Sequence, residues 1–154
     1  GYDADEIKSL IKPLGVKVVH NRAYKTGEML SSLKAGLRAM PDNVAATLVV
    51  LGDQPRVQPK VIYQLLSAYA KGAGDLLIPT YKTRHGYPIL IGRQYWADIL
   101  KLRRIHTLDD VLSSYSDQIT TIEVDTDSIL RDVDTLEDYH QELLRAGLRD
   151  IPLR

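Results

Sequence analysis

The sequence of 154 residues contains no cysteine. Disulfides, thiolate zinc sites, iron–sulfur clusters and thiol nucleophiles are therefore excluded. It has no net charge either: twenty Lys and Arg stand against twenty Asp and Glu. That balance argues against a general nucleic-acid binder or a protein drawn to anionic membranes, since both lean on excess positive charge. Long hydrophobic runs are missing too. The stretch Val44–Leu51 falls far short of the roughly 20 residues a bilayer-spanning helix needs. The first residues carry no basic-then-apolar pattern of a leader. What is present is ordinary for a globular chain, with 44% hydrophobic and 26% charged residues, and the length suits a single domain over 1–154. These features predict a cytoplasmic enzyme or binding domain, with no nucleic-acid or membrane partner.

Strand and helix patterns alternate along the chain. Ile7, Leu10, Ile11 and Leu14 recur at helical spacing behind Asp3 and Asp5, either of which suits an N-cap, and Gly15 stops the helix. Val16–His20 reads as a short buried strand, and Met29–Met40 as a helix with Leu30, Leu33 and Leu37 on one face. Gly36 in its middle predicts close packing at that point. Ala45–Leu51 is continuously apolar, as expected of a central parallel strand covered on both faces. Pro59–Ala70 follows as a helix, Asp75–Pro79 as a strand, Thr80–Tyr87 as a polar loop and Pro88–Ile91 as a strand. Two helices over Gly92–Leu102 and Thr107–Tyr115, a strand over Ile119–Asp125 and a helix over Leu136–Ala146 complete the chain. The alternation predicts an α/β three-layer sandwich with a mostly parallel, Rossmann-like sheet. Such a domain normally opens on a strand. This chain opens on the helix that would follow one, which predicts that a first βα unit belongs ahead of Gly1 in a longer parent.

Four segments carry candidate chemistry. In Leu48–Pro55 a strand ends at Gly52, where a missing side chain lets a ligand approach the backbone, and Asp53 stands at the carboxyl end, where open α/β sheets bind ligands. A carboxylate there suits Mg²⁺; it suits a turn or a helix cap equally well. Asp132 and Asp134 alternate, so in an extended segment they face one way, and a cation would offset their repulsion. Asp134 or Thr135 is the cap of the last helix. Gly27 loosens a loop, and Ser31 and Ser32 lie near the start of the following helix, where hydroxyls and free N–H groups can hold an anion or the polar edge of a base and serve equally as a helix cap. Arg84 and His85 sit in a basic loop and are suited to phosphate oxygens.

The ordered set N-x2-Y-x2-G-E-M-L-S-S-L-x-A-G-L from Asn21, L-G-D-Q-P at Leu51–Pro55, I-P-T-Y…R-H-G-Y-P at Ile78–Pro88 and D-V-D-T-L-E-D-Y at Asp132–Tyr139 resembles the molybdenum-cofactor cytidylyltransferases of the nucleotidyltransferase superfamily. The resemblance spans nearly the whole chain. It implies Mg²⁺-dependent transfer of CMP from CTP, the favoured nucleoside triphosphate, onto the phosphate of a molybdopterin-type acceptor, releasing pyrophosphate. A molybdoenzyme or its chaperone is the implied partner. Asp53 would bind Mg²⁺ with Asp134 or Asp132, making Asp53 and Asp134 the catalytic pair; Gly27 and Ser32 would lie near the base, and the Arg84–Pro88 loop would face the acceptor. Tyr87 stands where the family usually has His. The family's Gly-rich phosphate loop, with its Arg and Lys, has no counterpart after Gly1, so the 154 residues alone are expected to be inactive.

Two other readings fit parts of the chain. Asp125-Thr126-Asp127-Ser128-Ile129 approximates the nucleophile site of haloacid-dehalogenase-like phosphatases. A nucleotide-binding or assembly module that has lost its chemistry would explain the absent glycine loop, but not the three carboxylates.

Overall fold

The computed structural model describes residues 3–25, 28–103 and 106–148. In chain order these form helix α1 (Ala4–Ile11), helix α2 (Glu28–Arg38), strand β1 (Ala46–Val49), helix α3 (Pro59–Ala70), strands β2 (Leu76–Tyr81), β3 (Arg84–His85) and β4 (Ile89–Gly92), helices α4 (Trp96–Lys101) and α5 (Leu108–Ser114), strand β5 (Thr120–Glu123) and helix α6 (Leu136–Arg145). Short 3₁₀ turns cover Lys12–Leu14, Arg93–Tyr95, Ser116–Gln118 and Asp127–Leu130. The chain divides into two compact units, Gly1–Ala46 with Gly92–Asp117, and Thr47–Ile91 with Gln118–Arg154.

The second unit is organised by β2. It pairs in parallel with β5, Leu77 opposite Thr120 through Thr80 opposite Glu123. It pairs antiparallel with β4, Leu76 opposite Ile91, and with β3, Thr80 opposite His85. The sheet order runs β1-β4-β2-β3, with β5 on β2. The sheet is therefore mixed. Lys82 and Thr83, at φ 48° and 70°, turn the chain straight back on itself, because two successive positive-φ residues match the twist of a two-residue hairpin. The expected polar loop over Thr80–Tyr87 is thus a tight hairpin. Between β3 and β4 the register steps by two residues, across Gly86–Pro88, where the Tyr87–Pro88 bond is cis.

Having partners on both edges, β2 is buried on both faces, with Leu76, Leu77 and Ile78 at its centre, and β4 beside it is buried as well. That corrects the expectation for Ala45–Leu51. Only Ala46–Val49 of that stretch forms a strand, it is half-buried, and Val50 is 53% exposed. Helix α3 begins at Pro59, a first-turn position that tolerates the missing N–H. It packs on β2 through the fully buried Val61 and Leu65. Helix α6 starts at Thr135, whose hydroxyl accepts from the Asp138 N–H while Asp138 accepts from the Thr135 N–H. Thr135, rather than Asp134, is the cap.

In the first unit α2 buries Leu30 and Leu37 and packs against α4, which packs in turn against α5. Thr107 and Asp110 form a second reciprocal cap at the start of α5. Arg93 ties the loop before β1 in place: its N–H donates to Ala45 O at 2.8 Å, and its guanidinium reaches Pro41 O, Val44 O and Asp42 while lying over the Trp96 ring. Tyr95 and Tyr115 meet edge to face at 4.9 Å, and the Tyr115 hydroxyl donates to Asp98 at 2.5 Å. That bond, with Lys101 adding to it, holds the Asp98 carboxyl below the usual carboxylate range and raises the Tyr115 hydroxyl.

Two expectations for this unit are overturned. Val16–His20 forms no strand, and Val16, Val18 and Val19 stand exposed. β-Branched residues make a strand only against a partner ladder, and none forms there among the described residues. Gly36 is not packed: among the described residues, a Cβ built there would meet nothing within 4 Å.

Candidate functional site

The turn after β1 carries Gly52, Asp53, Gln54 and Pro55. The Gln54 N–H closes it on Leu51 O at 3.3 Å. Across the second unit, the extended segment leading into α6 comes to this turn. The Val133 N–H donates to the Asp53 carbonyl at 2.8 Å, and the Gln54 side-chain amide donates to Asp132 Oδ1 at 2.7 Å over a separation of 78 residues. Two acidic stretches distant in sequence are thereby neighbours. Asp53, Asp132 and Asp134 are exposed, whereas Gln54 is buried, at 6% exposure. A Cβ at Gly52 would meet open space among the described residues, so the backbone there is accessible.

Behind the acidic segment lies a charged anchor. Glu142 of α6 is buried and accepts from Arg131 at 3.2 Å and from Arg145 at 2.5 Å, with Arg56, just after the Asp53 turn, 3.8 Å away. Arg131 also reaches Asp127 at 3.5 Å. The segment 131–134 is consequently gripped at its start by Arg131 and at its end by the α6 cap, which leaves its carboxylates a defined place at the surface.

The hairpin holds Arg84 and His85 as successive exposed residues of β3, pointing to opposite faces of the sheet. Arg84 lines a cavity of about 350 Å³ with Lys82, Tyr81, Asp127 and Arg131; His85 is not among its lining. Gly86 lets the hairpin's exit press against Ile129. The Tyr87 N–H donates to Ile129 O at 3.1 Å, and a Cβ on Gly86 would fall 2.3 Å from that same oxygen.

The serines belong to the first unit. Asn21, buried, donates through Nδ2 to Ser31 Oγ at 2.6 Å and Ser32 Oγ at 3.0 Å, while its Oδ1 accepts the Ala23 N–H. One amide thus orients both hydroxyls in the first turns of α2. Gly27 lies outside the described residues. Asn21 and Ser31 line an open cavity of about 690 Å³ whose other walls include His20, Lys34, Arg38 and Arg103. That volume is in the range of small-ligand sites, and the cationic walls favour an anion. Partial burial and the neighbouring Arg38 lower the Lys34 ammonium, which donates to Leu102 O.

Neither Asn21 nor Gln54 was singled out from the sequence as a site residue, although both stand inside the motifs quoted above. The signal was their type: amides at the hinges of two motifs, which burial converts into devices that orient other polar groups.

Whether the acids suit a divalent ion turns on their chemistry. Among the described residues no three His, Asp or Glu side chains are gathered into a ready-made metal cluster. Mg²⁺ and its analogue Mn²⁺ take oxygen ligands and commonly use one or two carboxylates, completing the shell with substrate phosphates and water. The donors at the Asp53 turn fit that pattern. A second sign is that Gln54 Oε1 is buried with no hydrogen-bond partner among the described residues. By contrast, Asp125 of the phosphatase-like stretch is taken by Lys60 at 2.6 Å, which lowers its carboxyl, and Asp127 lies beside Arg131.

The mixed sheet with helices packed on it is a Rossmann-like α/β fold of the nucleotidyltransferase kind. The chain belongs to the MobA-like NTP transferase domain family, whose sequence profile matches residues 2–119. Among solved structures it is similar to a nucleotidyl transferase from Methanothermobacter thermautotroptrophicus (Mth528), at 22% identity and TM-score 0.74, over 95% of this chain and 71% of that one. It is also similar to Rv0371c from Mycobacterium tuberculosis H37Rv, at 23% identity and TM-score 0.65, over 76% of this chain and 60% of that one. The same Mycobacterium tuberculosis protein has been solved as a manganese complex, which matches with TM-score 0.62 and 23% identity over 73% of this chain and 59% of that one. The chain thus spans about 60% of the length of Rv0371c. No curated protein sequence matches. Among the described residues no helix is long and apolar enough to cross a membrane.

Proposed function

We propose that the chain is the metal-binding and acceptor-facing part of a cytoplasmic nucleotidyltransferase that moves CMP from CTP onto the phosphate of a molybdopterin-type acceptor, with release of pyrophosphate. A molybdoenzyme or its chaperone would receive the product. The observation that carries this reading is the joining of the Asp53 turn to the Asp132–Asp134 segment through the 2.8 Å and 2.7 Å hydrogen bonds. Family membership and the manganese complex of Rv0371c support it.

In this mechanism Asp53, with Asp134 or Asp132, would hold Mg²⁺. The ion, when bound, supplies charge neutralisation for the phosphates of an in-line transfer. Gly52 lets the nucleotide approach the backbone. Arg84, presented by the hairpin beside Lys82 and Arg131, receives the acceptor's phosphate. Taken by itself, the first unit offers Ser31 and Ser32, oriented by Asn21, together with Gly27, as groups suited to the polar edge of a base. Positioning and charge balance carry the chemistry, since phosphoryl transfer asks little covalent work of the protein.

The test is a panel of nucleoside triphosphates on the complete enzyme with molybdopterin as acceptor, scoring pyrophosphate release. CTP is expected to be the preferred donor. Asp53→Asn is expected to lower turnover about 100-fold or more with a melting temperature near the parent's. Near-parent activity in that variant would remove Asp53 from the site.

A further inference from the structure

From the hydrogen bonds around the Asp53 turn we infer that Gln54 is a positioning residue for divalent-metal binding, one that clamps Asp132 through its amide N–H and offers its carbonyl oxygen to the hydration shell of the ion. The inference deepens the site reading above and rests on it.

Gln54 is buried, and the carboxylate it holds, Asp132, is exposed. Polar side chains that deep are normally satisfied at every atom. Here the satisfaction is one-sided. Nε2 donates to Asp132 Oδ1 at 2.7 Å, but Oε1 is buried and accepts from nothing among the described residues. A solvated glutamine would lose neither bond, so burial of this amide has to be repaid by something that donates to Oε1. Asp132, the side chain it does hold, is a carboxylate and donates nothing when ionised. Water polarised by a cation is a donor that suits this pairing, because the same ion also offsets the negative charge of the carboxylate.

The backbone explains why glutamine rather than a shorter amide stands here. The Gln54 N–H closes the turn on Leu51 O, Pro55 follows, and the Val133 N–H holds the Asp53 carbonyl. With the main chain pinned at these points, the side chain has to bridge a fixed gap to Asp132. Two methylenes span it. Clamping one oxygen of Asp132 removes its rotational freedom before an ion arrives, and such outer partners of metal-site carboxylates govern affinity as well as orientation.

The measurement is Mn²⁺ binding to the chain itself, by isothermal titration and by quenching of the Mn²⁺ electron paramagnetic signal, with and without CTP. Gln54→Met keeps the side chain's length without the amide, and Gln54→Asn keeps the amide without the reach. Each is expected to weaken Mn²⁺ about 10–100-fold while the melting temperature stays close to the parent's. If the Met variant fails to fold, the Asn variant carries the test alone. Parent-like Mn²⁺ affinity in a folded Gln54 variant, with binding lost in Asp53→Asn, would overturn the role of Gln54 and leave the acidic site standing. Parent-like affinity in Asp53→Asn and in Asp132→Asn, or no Mn²⁺ binding by the parent chain in either condition, would overturn the site reading and this inference together.

Discussion

Replacing Gly86 by alanine isolates one close approach on which the Arg84–His85 hairpin depends. The added Cβ would lie 2.3 Å from Ile129 O, 2.8 Å from Ile129 Cγ1 and 2.9 Å from Ile129 C, against 3.4 Å or more for an ordinary contact. The hairpin exit and the Ile129 turn would have to part by about 1 Å, the difference between those separations. Two of the three clashing atoms are backbone, so no rotamer change relieves them. The Tyr87 N–H bond to Ile129 O would lengthen well past its 3.1 Å. Overpacking of this kind costs about 1–3 kcal/mol, and a lost internal hydrogen bond about 0.5–1.5 kcal/mol. A total of roughly 2–4 kcal/mol lowers the melting temperature by about 4–16 °C in a chain of this size. Thermal unfolding followed by circular dichroism reads the shift. Gly36→Ala is the matched control: its Cβ meets nothing within 4 Å, so within α2 the substitution should stabilise by about 0.5–1 kcal/mol. A Gly86→Ala melting temperature within about 1 °C of the parent's would refute the steric argument.

Two further outcomes are expected. Glu142→Ala leaves the half-buried Arg131 guanidinium facing Arg145 and Arg56 without its carboxylate, and breaking such a pair costs about 3–5 kcal/mol; a loss below about 1 kcal/mol in urea unfolding would mean the cluster is solvated. Acid should destabilise the chain through its capping and paired carboxylates. The Thr107 N–H holds Asp110, the Thr135 hydroxyl and N–H hold Asp138, and the Tyr115 hydroxyl holds Asp98, each below its usual range. A carboxylate whose folded pKa is depressed stabilises fully above its unfolded value, near about 4, and loses that contribution as pH falls through the folded value. The melting temperature is therefore expected to be level above about pH 5 and to drop below about pH 4, with a shallower drop in Asp138→Asn. An unchanged melting temperature at pH 3 would count against these bonds.

Local order in this protein was legible in the residues. Pro59 marks the first turn of α3 because proline lacks only an N–H that a first turn leaves unused. Thr107 and Thr135, each with an aspartate three residues on, announce α5 and α6. The apolar periodicity of α2 and the alternation of strand and helix set the α/β class, and the four motifs pointed to nucleotidyl transfer. These signals are short-range, carried by side chains within a turn or two of one another. Which strand is central was not of that kind. Ala45–Leu51 and Leu76–Pro79 are both apolar, and only pairing decides that β2 gains neighbours on both edges while β1 stays half-buried. Val16–His20 has a strand's composition without a strand's ladder, and Lys82-Thr83 turns a hairpin without the glycine or asparagine that usually announces one. The candidate site has the same character. Asp53, Asp132 and Asp134 are visible one at a time in the sequence. Their association depends on a backbone bond and a buried glutamine spanning 78 residues, and the worth of such an amide is set by burial and by what it can reach, which are properties of the folded chain.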